Sequence, residues 1–247
     1  MNTTIRLCHL YPDLLNLYGD RGNILSLKRR AQWRDISLEV LPVSLDENFD
    51  PRLYDMVFLG GGQDAEQNLL RKDFVEKKGA AVKEAVDMEK IFLCICGGYQ
   101  MMGRYYEEHN GERIDCLGAI DVWTKGEKER FVGDTAYQSE LFPGPDGIFY
   151  GFENHGGRTY LGEGVKPLAK VLTGSGNNGE DKTEGAIYKN VYCTYSHGSF
   201  LPKNPLMTDF LLELALRSRF GEEYSLPPLS MELEMEARKS SPAYGKY

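Results

Sequence analysis

Residues Ile91–Gly103 read IFLCICGGYQMMG. The first half, Ile91–Ile95, is a continuous apolar run, IFLCI, with Lys90 before it. A strand that is apolar on both faces belongs at the centre of a parallel sheet covered by helices. At Cys96 the composition breaks into Gly97-Gly98, and GGYQMMGRYYEEH then has helical character. Strand, tight glycine turn and helix in succession make one unit of an α/β fold. The same stretch holds two of the five cysteines, one residue apart. Three readings stand open: a metal clip, two packed core thiols, or one core thiol beside a nucleophile.

Working outward, the alternation continues. TIRLCHLY reads as a first strand. DRGNILSLKRRAQWR has apolar residues near helical spacing, with Asp20 placed to cap the helix. SLEVLPV is a second strand, and DMVFLGGG is a second buried run ending in three glycines. AEQNLLRKDFVEKKGAAVKEAVDM is helical, with a break expected near Gly79. The expected fold is α/β: a doubly wound, mostly parallel sheet flanked by helices. From about Asn110 to Asn178 the pattern changes to short polar segments and Gly/Pro turns such as FPGPDG, so this middle segment is expected to be β-rich. TEGAIYKNVYCTYSHGSF reads as a hairpin turning near Lys189-Asn190, and PLMTDFLLELALRSRF as a closing amphipathic helix. We expect a single domain over residues 1–225, followed by a frayed C-terminal tail over 226–247.

Composition narrows the classes. The 247 residues are 41% hydrophobic, enough for a sizeable core, and carry a net charge of −8. Nucleic acid and anionic membranes attract basic surface, so neither is an expected partner. The N-terminus lacks a basic region followed by a long apolar run, and no apolar stretch approaches the roughly 20 residues needed to span a bilayer. Membrane insertion is therefore not expected. Five cysteines, an odd number and mostly in strand-like contexts, fit reduced thiols in a cytoplasmic protein.

In open α/β sheets ligands bind at the carboxyl ends of strands. After MVFL come Gly60-Gly61-Gly62-Gln63-Asp64; after IFLCI, Cys96-Gly97-Gly98; after VYCTYS, His197-Gly198-Ser199. Glycine backbone, a thiol and an imidazole at strand ends are what thiol acyl transfer requires. Cys94 lies inside its strand and is expected to be inert. Cys96 ends the strand, where a tight turn can present its thiol and the following N–H can serve an oxyanion; a packed cysteine beside a turn is the plain alternative. C-x-C alone is a weak metal signal, and no metal is expected. The triple glycine can serve an oxyanion, cradle a phosphate or simply be a loop, although it lacks the Lys-Ser/Thr ending of a P-loop. Among the four histidines, His197 is favoured as the base over His155 because it ends a strand; His9 reads as structural and His109 as exposed.

GGGQD, ICGGYQMMG and YSHGSF, in that order, resemble the class I glutamine amidotransferases of the cobyric-acid-synthase-like branch. YPDLLNLYGDRGN and GFENHGGRT narrow the likeness to the glutaminase subunits of lipid II isoglutaminyl synthases, over about residues 5–220. The resemblance implies that Cys96 attacks the side-chain amide of L-glutamine, with His197 as acid and base. It implies an oxyanion hole from Gly61, Gly62 and Gly97, and an arginine for the substrate, matched by Arg130 in KGEKERFVGD. An ordinary surface charge is the other reading of Arg130. No cofactor is implied. The implied partner is a Mur-ligase-like, ATP-dependent synthetase subunit that receives ammonia and amidates the D-glutamate of lipid II in peptidoglycan synthesis. Full-length cobyric acid synthases carry an ATP domain ahead of this region, whereas this chain starts at its first strand, so a heterodimer is expected. Amidation of another acid, such as a corrinoid, and a non-catalytic binding subunit are the alternatives. Many class I members place a Glu two residues after the histidine; here that position is Ser199, as is common in the cobyric-acid-like branch. The orienting group is left open among another residue of this chain, a backbone carbonyl, water and a partner residue, with Glu153 and Asp64 no more than guesses. His155 and Arg158 receive no catalytic role.

Overall fold

The computed structural model describes residues 3–16, 20–62, 70–197 and 199–247. Strands β1 (Thr4–Leu10), β2 (Ser37–Val43), β3 (Met56–Leu59) and β4 (Ile91–Ile95) pair in parallel. β4 also pairs in parallel with β12 (Val191–Thr194), whose antiparallel partner β11 (Ala186–Tyr188) closes the edge. The order is β11-β12-β4-β3-β1-β2. Every residue of β3, β4 and β12 is buried, which is why β3 and β4 are apolar throughout and β12 is so up to Thr194. The chain winds from β1 outward to β2, then returns to β3 and β4 on the other side. The reversal leaves a crevice at the carboxyl ends of β1 and β3.

The middle segment forms a second sheet. Its spine is a long antiparallel pair, β7 (Val122–Gln138) and β8 (Ile148–Leu161). β5 (Tyr105–Glu107), β6 (Arg113–Asp115), β9 (Ala169–Thr173) and β10 (Thr183–Glu184) complete it, with β13 (Ser196–His197) pairing to β8. One hydrophobic cluster runs through both sheets, from Phe58 and Phe92 to Tyr137 and Phe149. The β-rich segment is thus fused into the main core. Asn204 helps to join the layers: its side chain accepts from the Tyr150 N–H at 2.9 Å and donates to the Tyr150 carbonyl at 2.8 Å.

The helices are α1 (Arg21–Gln32), α2 (Gly79–Asp87), α3 (Gly97–Met102), α4 (Phe200–Lys203), α5 (Pro205–Phe220) and α6 (Glu232–Arg238). α1 and α5 pack together, with Arg30 forked onto Asp209 at 2.6 and 2.8 Å. Among the described residues no helix is long and apolar enough to cross a membrane.

Two segments differ from the sequence reading, and a third keeps the break expected near Gly79. GGYQMMGRYYEEH is helical only to Met102. Gly103 turns extended, and Tyr105–Glu107 joins the second sheet as β5. A Cβ at Gly103 would meet the Val122 carbonyl at 2.8 Å, so the close approach of β7 ends the helix there. The helix expected before Gly79 passes through a π-helical turn, Lys72–Lys77, and α2 starts afresh at Gly79; residues 63–69 lie outside the described residues. The C-terminal residues, expected to fray, instead dock. Glu234 pairs with Arg30 at 2.6 Å, and the Arg238 guanidinium lies over the Tyr150 ring and donates to the Ile148 carbonyl.

Candidate active site

β4 delivers Cys96 to the carboxyl edge of the parallel sheet. Its amide still donates to the Thr194 carbonyl at 2.9 Å, as a strand residue would. Its own dihedrals are φ 49° and ψ −102°, a conformation that L side chains avoid. Such strain at one non-glycine residue persists only where the surroundings enforce it. Here they do: Gly98 donates to the Gly60 carbonyl at 3.1 Å, and a Cβ at Gly98 would lie 2.5 Å from the Leu59 carbonyl oxygen. Helix α3 can therefore start directly against the end of β3. The outcome is a sharp strand-to-helix elbow with the thiol at its tip. Gly97 provides the first amide of α3, which has no partner inside its own helix. Cys94, two residues earlier, is fully buried opposite Cys193 in β12.

His197 does not sit at the end of the parallel strand. β12 stops at Thr194, and the chain crosses to the second sheet, where Ser196 and His197 pair with Glu153 and Phe152 of β8. This crossing is held by a buried acid. Glu184 accepts from the Tyr195 N–H at 3.0 Å and from the Thr194 hydroxyl at 2.5 Å. Burial pushes the Glu184 carboxyl up to about 7, against the pull of those two donors.

The imidazole of His197 is fully buried, and its Nδ1 faces Asp20 Oδ1 at 3.6 Å, an ion-pair distance. The Cys96 side chain is its other polar neighbour. Burial by itself depresses the imidazole, but Cys96 and Asp20 outweigh it and raise His197 to about 10. A ring biased in this way is protonated at neutral pH and faces the sulfur as an imidazolium. Asp20 has no exposed surface, and its other oxygen accepts from the Gly61 N–H at 2.7 Å. Gly61 lies between all three side chains. A Cβ there would stand 2.9 Å from His197 Cε1, 3.2 Å from Asp20 Oδ2 and 3.4 Å from the Cys96 Cβ.

Several sequence expectations change here. Asp20 occupies the N-cap position of α1, but its carboxylate makes no capping bond and turns instead to Gly61 and His197. It is the acid that sequence reasoning missed; the signal available was its place just past the first strand, at the crevice. The Gly61 N–H, expected to serve an oxyanion, instead donates to Asp20. Glu153 spends its carboxylate on the Ser175 and Gly176 amides at 2.8 and 3.0 Å, away from the imidazole. Asp64 lies outside the described residues. His155 is buried flat against Tyr195, ring centroids 3.7 Å apart, and its Nδ1 donates to the Gly157 carbonyl at 2.9 Å. Burial pushes it down to about 3, so it is neutral.

Arg130 stands on an exposed bulge of β7. The ladder pairs Gly126 with Gly157 and then Phe131 with His155. Its guanidinium donates from Nε to Asn154 Oδ1 at 2.9 Å and from Nη2 to the Asn154 carbonyl at 2.7 Å. Among the described residues no carboxylate pairs with it.

A thiol and a buried carboxylate that both act on one imidazole, beside glycine amides, form an arrangement able to attack an acyl carbon and protonate a leaving amine. Comparison with known proteins points the same way. The profile of the CobB/CobQ-like glutamine amidotransferase domain matches residues 6–205. The chain is 41% identical to the GatD subunit of the glutamine-hydrolysing lipid II isoglutaminyl synthase of Streptococcus pneumoniae, over 94% of this chain and 88% of that protein. It is 40% identical to the Staphylococcus aureus GatD subunit, over 95% and 93%. The cobyric acid synthase of Pelotomaculum thermopropionicum is 36% identical, over 67% of this chain and 33% of its own length. Among solved structures, PurLQS of Thermotoga maritima shares the fold with a TM-score of 0.56 at 17% identity, covering 80% of this chain and 88% of that one. The glutaminase domain of Trypanosoma brucei CTPS does so with a TM-score of 0.54 at 13% identity, covering 90% and 96%.

Proposed function

The chain belongs to the CobB/CobQ-like glutamine amidotransferase family, and on that premise we propose that it hydrolyses L-glutamine to supply ammonia for the amidation of lipid II. The ammonia passes to an ATP-dependent, Mur-ligase-like partner subunit, which amidates the D-glutamate of the stem peptide in the cytoplasm. The observation that carries this reading is the elbow: Cys96, strained at φ 49°, beside a buried His197 that faces Asp20.

In the proposed reaction the Cys96 thiolate attacks the side-chain carbonyl carbon of glutamine. The oxyanion that forms is held by the Gly62 and Gly97 amides. His197 gives its proton to the departing nitrogen, ammonia leaves, and a glutamyl thioester remains. Water then attacks the thioester while His197 takes up a proton, and glutamate departs with the thiolate restored. Asp20 holds the imidazole from its Nδ1 side, the same task a carboxylate performs in Ser-His-Asp triads. Arg130 is assigned the α-carboxylate of the substrate; its exposure and the lack of a carboxylate partner among the described residues support this.

Reconstitution tests the reading. The chain, its Mur-ligase-like partner, lipid II, ATP and glutamine should yield amidated lipid II. Cys96→Ala should yield none with glutamine and should recover product with ammonium salt. Full amidation by Cys96→Ala on glutamine alone would remove the nucleophile assignment. Amidation of a corrinoid carboxylate instead of lipid II would change the acceptor and keep the glutaminase.

A further inference from the structure

The stretch Glu153–Arg158, ENHGGR, has no role in the reaction as written, yet alternate residues of it reach different parts of the site. On one face of β8, His155 lies on Tyr195, two residues before His197. On that face a Cβ at Gly157 would come 2.4 Å from Gln100 Nε2, the group on α3 that donates to the Tyr195 hydroxyl at 3.1 Å. The other face carries Asn154, Gly156 and Arg158, and all three meet the β7 bulge.

The bulge is unusually large. Between Gly126↔Gly157 and Phe131↔His155, the four residues Glu127 to Arg130 stand opposite Gly156 alone. Bulges of this kind gather beside active sites and re-aim a side chain. This one is fixed at three points. A Cβ at Gly156 would lie 2.9 Å from the Glu127 carbonyl oxygen, so only glycine admits the bulge. Arg158 donates from Nη2 to the Glu129 carbonyl at 2.8 Å and stacks on the Phe131 ring at 3.4 Å. Asn154 takes the Nε and Nη2 hydrogens of Arg130. Arg158 is 8% exposed and has no carboxylate partner among the described residues. A buried cation satisfied only by carbonyls and a ring is costly, and its positive field remains available to an anion nearby.

We propose that Asn154 is the positioning residue for substrate binding: it anchors Arg130 so that the outer Nη1/Nη2 edge of the guanidinium faces the α-carboxylate of glutamine, with Arg158 bracing the bulge beneath. This rests on the reading that Arg130 binds that carboxylate. A guanidinium has two forked edges suited to a carboxylate. Asn154 occupies the Nε/Nη2 edge, so the outer edge is the one presented. An arginine already held in place loses less rotamer freedom when the substrate arrives, which strengthens binding without touching the chemical step.

The test is glutamine hydrolysis by the full chain together with its synthetase partner. Asn154→Ala should raise KM for glutamine about tenfold with kcat little changed, as for the loss of one charge-assisted hydrogen bond. Asn154→Asp, which keeps the acceptor, should recover most of the KM. Adding Asn154→Ala to Arg130→Ala should change KM no further, since the two act as one unit. Labelling of Cys96 by a glutamine-like diazo-ketone, which carries the carboxylate, should slow in Asn154→Ala, while labelling by iodoacetamide, which lacks it, should not. If Arg130→Ala raises KM and Asn154→Ala does not, the positioning role is wrong and the Arg130 reading stands. If Arg130→Ala leaves KM unchanged, that reading falls and takes this proposal with it. Equal losses in kcat and in both labelling rates would reduce Asn154 to a structural residue and overturn the proposal.

Discussion

At the scale of single residues, Asp20 carries the clearest lesson. Its sequence context, an acid just ahead of a helix, is that of an N-cap, and it stands at that position. Burial changes its task. With no water to satisfy it, its carboxylate takes the Gly61 amide and faces the His197 imidazole instead. Asp20→Asn should therefore lower kcat by roughly 10² to 10⁴-fold with little change in KM, since the imidazole loses its orienting charge. A pH profile separates this from simple damage. Cys96 and Asp20 raise His197 to about 10 against its burial. Activity that needs the imidazolium is thus complete at neutral pH and falls as pH rises through about 10. In Asp20→Asn the alkaline limb should move to lower pH, toward the ordinary histidine range. The same linkage acts on stability. A raised histidine stabilises the fold fully below its unfolded value of 6.5, and that contribution fades as pH climbs to about 10. An alkaline limb identical in both proteins would refute the Asp20 role.

At the scale of elements, β4 and its elbow were legible because their signals are local: an apolar run, then glycines. The path of His197 was not. VYCTYSH reads as one strand, but Thr194 and His197 belong to different sheets. The crossing depends on Glu184, ten residues away in sequence from Thr194 and buried completely. No periodicity marks such a carboxylate. Its energetic sign can be checked. Glu184 is raised to about 7 from 4.5 in the fold, so folding takes up a proton between these values. Stability should then decline as pH rises from 4.5 to 7, the opposite of an ordinary paired acid. Glu184→Gln should flatten that decline and raise the melting temperature at pH 8 relative to the parent by about 5 °C. Equal slopes of melting temperature against pH for the two proteins would count against it. The helix expected through Tyr105-Tyr106 failed for a related reason: those aromatics have strand as well as helix uses, and pairing with β6 and β7 decided.

At the scale of the whole molecule, two sheets share one core, and the site lies where they meet: Cys96 and Gly61 come from the parallel sheet, His197 from the second. The C-terminal residues bind this assembly together from outside. Arg30 is held by Asp209 of α5 and Glu234 of α6, and Arg238 reaches β8. Removing residues 226–247 should lower the melting temperature by about 5 °C while leaving glutamine turnover intact, because their pairings run to Arg30, Ile148 and Tyr150. Loss of turnover at unchanged stability would show that the segment belongs to the site. The sequence by itself determined the α/β class, the central strands, the strained cysteine turn and the family, since these rest on local apolar runs and on motif order. Tertiary structure alone decided that Asp20 is the acid behind the histidine, that the Gly61 amide is occupied, that Asn154 holds Arg130, and that the last residues dock. Each of these is a contact between groups 24 or more residues apart, and the burial and geometry that select its partner exist only once both sheets have closed on each other.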